Sequence, residues 1–133
     1  MDERFLIDTN ISIYFLEGVL PSQSLPFIRS VFSTKVNVSV ITQIELLGWA
    51  FPDVNQATIT GEFVKQALIY PLDQDVVQQT IVLRRSHRIK LPDAIIAATA
   101  LVHGLTLISW NDRNFLHVSG LSYRNPFTYI PAS

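Results

Sequence analysis

Phe5-Leu6-Ile7-Asp8-Thr9-Asn10 is the stretch on which the fold turns: three apolar residues stop abruptly at three short polar ones. Such an apolar run reads as a buried strand, and Asp-Thr-Asn as the cap of a following helix. Ile11, Phe15 and Leu16 form one face of that helix before Gly18. The alternation recurs along the chain. Residues 25–32 have helical spacing, 36–40 alternate as a strand, and 42–49 predict a helix with Ile44, Leu47 and Ala50 inward. A helix over 55–68 and a strand over 69–72 follow, then a helix capped by Asp73 and carrying Val76, Val77, Thr80, Ile81 and Arg84. Pro92 opens a helix that Gly104 closes after His103, and residues 105–108 make a last apolar strand before Ser109-Trp110-Asn111-Asp112. This pattern predicts an α/β fold in three layers, a central parallel sheet of four to five strands flanked by helices.

The chain has 133 residues, 48% hydrophobic and 16% charged, with no repeat or linker, so one domain is expected over residues 1–133. That composition excludes a disordered chain. The absence of cysteine excludes disulfides, thiolate metal sites and a cysteine nucleophile. His87, His103 and His117 lack the spacing of a zinc site. A net charge of −1 excludes a generally basic nucleic-acid binder. Met1-Asp2-Glu3-Arg4 does not begin a signal peptide and no apolar stretch is long enough to span a bilayer, so a cytoplasmic protein without membrane contact is expected. There is no Gly-x-Gly-x-x-Gly turn, phosphate-binding Gly-Lys-Ser/Thr loop or Gly-x-Ser-x-Gly elbow, hence no nucleotide cofactor or serine nucleophile is expected. A receiver domain would need paired acids after the first strand and a lysine after the last, and both are missing.

The acids carry the chemistry. Asp8 follows the first strand, Glu45 lies in the helix after the second, Asp93 opens the helix at Pro92, and Asp112 follows the last strand. Strands of a parallel sheet end on one edge, where ligands bind. Two carboxylates about 5 Å apart at an effective dielectric of ~20 repel by roughly 3 kcal/mol, so protons or a hard divalent ion must neutralise the cluster. Oxygen ligands favour Mg²⁺ or Mn²⁺, and such ions mostly serve phosphate chemistry, which points to a nuclease or phosphatase. Each acid also has a plainer reading. Asp8 can cap its helix, Thr42-x-x-Glu45 fits a capping box, Asp93 can oppose a helix dipole, and Asp112 suits a turn.

Leu6-Ile7-Asp8-Thr9-Asn10, Glu45, the run Leu91-Pro92-Asp93-Ala94-Ile95-Ile96-Ala97-Ala98-Thr99-Ala100, and Leu107-Ile108-Ser109-Trp110-Asn111-Asp112-Arg113-Asn114-Phe115 together resemble PIN-domain ribonucleases. The similarity is greatest to VapC toxins of bacterial toxin–antitoxin pairs, and Asn125-Pro126-Phe127 resembles their ending. The resemblance implies a Mg²⁺- or Mn²⁺-dependent endoribonuclease that hydrolyses RNA with metal-activated water. It also implies a homodimer and a cognate antitoxin partner. By the same resemblance Asp8 and Asp93 are the principal metal ligands, Glu45 completes the site, and Thr9, Asn10 and Ser109 support it. The fourth position falls to Asn111 or Asp112, and Asn114 stands where many members have Asp. A catalytically degenerate PIN domain that only binds protein or RNA is the alternative.

Arg84, Arg85, Arg88 and Lys90 place four of the ten Lys+Arg within seven residues, beside His87 and just before Asp93. They read either as a solvated helix end or as a rim that contacts RNA phosphates. Trp49 and Phe51 read as core, or as an exposed pair suited to a dimer or antitoxin groove.

Overall fold

In the computed structural model the described residues are 3–128. Of the expected domain, Met1, Asp2 and residues 129–133 therefore lie outside the description. Strand β1 (Phe5–Ile7) leads into helix α1 (Thr9–Glu17), a single 3₁₀ turn (Ser22–Ser24) and α2 (Leu25–Phe32). β2 (Asn37–Ser39) precedes α3 (Val40–Leu47) and α4 (Val54–Gln66), and β3 (Leu68–Tyr70) precedes α5 (Gln74–Ser86) and α6 (Leu91–His103). β4 (Thr106–Ile108), α7 (Asp112–Phe115) and β5 (Tyr123–Arg124) finish the described fold. The five strands are parallel, in the order β3-β2-β1-β4-β5.

Period-two alternation along the strands divides the core. Leu6 and Leu107 face the layer of α5 and α6, packing with Val76, Leu83 and the small residues Ala94, Ala97 and Ala98. Ile7, Val38 and Ile108 face the opposite layer, with Ile11, Phe27, Ile28 and Val31 of α1 and α2. Burying both faces is why the strands read as continuous apolar runs.

The strand order places a topological switch between β1 and β4, because the chain builds β2 and β3 on one side of β1, then β4 and β5 on the other. Ligands of open parallel sheets bind at the carboxyl ends of such strands. Asp8 follows β1 and Ser109 follows β4, so both stand at that crevice. α6 passes through Gly104, in the left-handed conformation at φ 65°, almost directly into β4. Its last turn therefore lies at the amino edge of the sheet and its first turn, with Asp93, at the carboxyl edge.

Helix α3 departs from expectation. Ser39, not Thr42, caps it: the Ser39 hydroxyl accepts from the Ile41 N–H at 3.0 Å. The helix begins earlier, and the face it packs inward is that of Thr42 and Leu46, while Ile44 and Leu47 are 61% and 53% exposed. Ala50, also expected inward, is exposed. No capping box forms at Thr42, which frees Glu45 for other contacts. Ile81 likewise lies outside the core, because α5 buries Val76, Thr80 and Leu83 instead. The Asp73 cap is present, accepting from the Val76 N–H at 3.0 Å. Short α7 and β5 carry too few residues for periodicity to announce them.

Candidate active site

Asp8 is buried, with 4% of its surface exposed, and it does cap α1: Oδ1 accepts from the Thr9 N–H at 2.8 Å. Its other oxygen has a second task. Oδ2 accepts from the Ser109 hydroxyl at 2.7 Å and from Asn10 Nδ2 at 3.2 Å, bridging the ends of β1 and β4. Ser109 is itself fixed by the Asn111 N–H, which donates to its Oγ at 3.0 Å. The backbone continues the bridge, since the Asp8 N–H donates to the Ile108 carbonyl at 2.9 Å.

Glu45 reaches the same crevice from α3. Thr9 Oγ1 lies 2.6 Å from Glu45 Oε1 and 3.0 Å from Thr42 Oγ1. A hydroxyl has one proton, and the carboxylate is the stronger acceptor, so Thr9 donates to Glu45. Asp93, the third residue of α6, accepts from Asn114 Nδ2 at Oδ2, 2.5 Å away.

The charges of these three acids act on one another. Burial pushes the Asp8 carboxyl up to about 6, against the opposing pull of the Ser109 and Thr9 hydrogen bonds, and the charges of Asp93 and Glu45 raise it further. Asp93 is also raised, first by burial, then by Glu45, while the Asn114 amide and Lys90 oppose the shift.

Asp112 does not join them. Its Oδ1 accepts from Tyr123 Oη at 2.5 Å and from Asn125 Nδ2 at 3.1 Å, and Tyr123 Oη also lies 3.1 Å from the Ser109 carbonyl. Burial and the Asp112 charge hold the Tyr123 phenol far up, so it stays a donor. Asp112 thus braces the loop that presents Ser109. Asn111 contributes its backbone N–H to Ser109 and precedes α7. Asn114, which the sequence marked only as standing where many members have Asp, is the residue that meets Asp93. Its place five residues after Ser109, one turn along α7, is the signal that marks it.

The basic cluster divides. Arg84 Nη1 donates to the Ile89 carbonyl at 2.6 Å and pins the α5–α6 connection. Arg85 and Arg88 are exposed and line, with His87, a hollow of about 490 Å³. Lys90 precedes α6 and acts on Asp93. Trp49 is 62% exposed and forms, with Phe51, Leu46 and Ile13, a groove of about 480 Å³ that Glu45 also lines. No described helix is long and apolar enough to cross a membrane.

Asp8, Glu45 and Asp93 offer only carboxylate oxygens, the donor chemistry of Mg²⁺ and Mn²⁺. Among the described residues no three acidic or imidazole side chains are drawn together as a closed cage. Mg²⁺ does not need one, because it keeps several waters and takes one or two carboxylates. The carboxylates of Asp8 and Asp93 offer the donor type such an ion takes.

An acid-lined crevice thus lies at the switch point of a parallel α/β sheet. The chain belongs to the PIN domain family, whose sequence profile it matches over residues 5–121. Its structure is similar to a chain of a toxin–antitoxin complex from Klebsiella pneumoniae, with 29% identity, a TM-score of 0.75, and coverage of 92% of this chain and 97% of that one. It is also similar to a chain of FitAcB from Neisseria gonorrhoeae (24% identity, TM-score 0.77, coverage 94% and 99%). DNA-bound VapBC from Salmonella typhimurium gives 20% identity, a TM-score of 0.76 and coverage of 94% and 99%. Among curated protein sequences, none matches this chain.

Proposed function

We propose that this chain is a cytoplasmic endoribonuclease dependent on Mg²⁺ or Mn²⁺, acting as the toxin of a toxin–antitoxin pair. The observation that carries the reading is the position of Asp8. It is buried at the β1/β4 switch, held by Ser109, and acted on by the charges of Asp93 and Glu45. A bound Mg²⁺ or Mn²⁺ would supply positive charge to the phosphate oxygens and a water of lowered pKa. Asp8 and Asp93 would hold it. Thr9 fixes one oxygen of Glu45, leaving the other to orient a water and take its proton. Ser109 and Asn10 keep Asp8 aimed into the crevice rather than toward solvent.

The partners in this reading also have surface to use. The groove at Trp49 lies against Glu45, where an antitoxin would cover the site, and exposed Ile44 and Leu47 offer apolar area for a homodimer. The named complexes of the similar structures support an antitoxin partner.

Cleavage of single-stranded RNA by the purified chain tests the proposal. New ends should form with Mg²⁺ or Mn²⁺, disappear in EDTA, and fall at least a hundredfold in Asp8→Asn and Asp93→Asn. Cutting undiminished in EDTA or in both variants contradicts it. The second reading, a binding module without catalysis, is favoured by the hydrogen bonds already occupying all three acids. It requires that Mn²⁺ leave the melting temperature unchanged.

A further inference from the structure

The loop that brings Ser109 to Asp8 continues into Trp110, which opens on a hollow that the acidic chemistry does not use. Its volume is about 400 Å³ and its walls are Tyr14, Val19, Trp110, Asn125 and Phe127. The backbone of Trp110 is committed to the site. Its N–H donates to Asn10 Oδ1 at 3.5 Å, and its carbonyl accepts from Asn125 Nδ2 at 3.3 Å. Any residue would supply those two groups, so they do not account for an indole. The side chain is 47% exposed, where a large apolar ring gains little from the core.

The arrangement of the rings leaves the hollow open. Tyr14 meets Trp110 at 6.4 Å with 60° between planes, and meets Phe127 at 5.7 Å with 78°. These are edge-to-face contacts. Phe15 and Phe32, by contrast, lie flat on each other at 4.0 Å and 16°, an arrangement that leaves no room between rings. The Tyr14 phenol has no hydrogen-bond partner among the described residues. The hollow is tied to the site through Trp110, whose N–H donates to Asn10, which in turn donates to Asp8. Trp110 is one residue beyond Ser109, and Tyr14 lies about 6 Å of helical rise beyond Asn10.

We propose that this hollow is a nucleobase subsite, in which an unstacked base of single-stranded RNA lies against Trp110 while a neighbouring phosphate meets the acids. Single-stranded RNA is recognised by stacking bases on aromatic side chains, and every base has a face for it. The link from Trp110 through Asn10 to Asp8 favours this occupant, since a strand whose phosphate reaches Asp8 has an aromatic face beside the loop for a neighbouring base. The inference rests on the RNA reading of the site but concerns binding rather than cleavage.

The test uses the Trp49→Phe chain, in which Trp110 is the remaining tryptophan of the two. The probes are a single-stranded RNA hexamer and a hexamer of the same backbone without bases. Binding is followed by Trp110 fluorescence and by anisotropy of labelled probe, in EDTA and, with Asp93→Asn added, in Mn²⁺. The hexamer should quench Trp110 and the base-free strand should not. Trp110→Ala should weaken RNA binding roughly five- to hundredfold, the size of one base–aromatic stack, and Trp110→Phe should weaken it less. Circular dichroism melts confirm folding, and Trp110→Phe serves should Trp110→Ala not fold.

Equal binding of both probes, unchanged affinity without the indole, or no RNA binding under either condition overturns the subsite. A change of oligomeric state in Trp110→Ala with RNA affinity intact also overturns it and points to a protein contact. Trp110-dependent binding by a chain that leaves RNA uncut in Mg²⁺ contradicts the nuclease reading alone. Cleavage with Trp110-independent binding contradicts the subsite alone.

Discussion

Asn114 Nδ2 donates to Asp93 Oδ2 across 2.5 Å, so a neutral amide from α7 occupies one oxygen of a carboxylate on α6. Replacing the amide with an acid reverses its effect. Asn114→Asp should be less stable than wild type by about 2 kcal/mol at pH 8 without divalent ions, through loss of a hydrogen bond to a charged group and new repulsion. Mn²⁺ should restore more stability to this variant than to wild type. Urea unfolding with and without Mn²⁺ measures both.

Asp8 makes apo stability depend on pH. Its carboxyl is raised from 3.8 to about 6, so the folded chain holds a proton that the unfolded chain has released. The stabilisation this gives is fully present below pH ~4 and lost as pH rises through 6, amounting to about 3 kcal/mol. Wild type should lose that much relative to Asp8→Asn between pH 4 and 7 in EDTA. Mn²⁺ affinity should weaken below pH 6, where the proton competes. Ser109→Ala removes a hydrogen bond that favours the ionised form and should move the transition to higher pH. Unfolding curves across pH for the three chains decide these points.

Thr9 donates to Glu45 Oε1, and in the proposed nuclease it acts through that acid. Thr9→Val keeps the shape and deletes the hydroxyl that fixes Oε1, so RNA cleavage should fall roughly tenfold to a hundredfold, as for other groups that orient site ligands. Thr9→Ser should recover most of the loss. A Thr9→Val rate equal to wild type would leave Glu45 without this support in catalysis.

The two kinds of arginine should separate. Arg84→Ala removes the bond to the Ile89 carbonyl and should lower stability by about 1–3 kcal/mol. Arg85→Gln with Arg88→Gln should leave stability nearly unchanged. If these two contact phosphates, the slope of log affinity against log salt for single-stranded RNA should fall by about 0.7 for each. An unchanged slope returns them to a solvated helix end.

Much of this was legible in the chain because apolar runs and caps are local signals. The α6 helix follows from Pro92 and Gly104, and the strand–cap junction at Asp8 from Phe5-Leu6-Ile7 alone. What periodicity does not carry is phase and partnership. In α3 the buried stripe runs through Thr42 and Leu46 and leaves Ile44 and Leu47 outward, because packing against the sheet, not periodicity, decides which face of a helix meets the core. Asp112 and Asn114 are two residues apart in one short polar run. Only the fold distinguishes the one bound by Tyr123 and Asn125 from the one that reaches Asp93. Composition did not reveal that one acid can both cap a helix and bridge two strand ends, as Asp8 does.

Anomalous scattering from crystals soaked in manganese addresses the shared ion most directly. A single strong peak between Asp8 and Asp93, within reach of Glu45 through water, is the expected result. Empty density there, with the carboxylates turned away from one another, would contradict it.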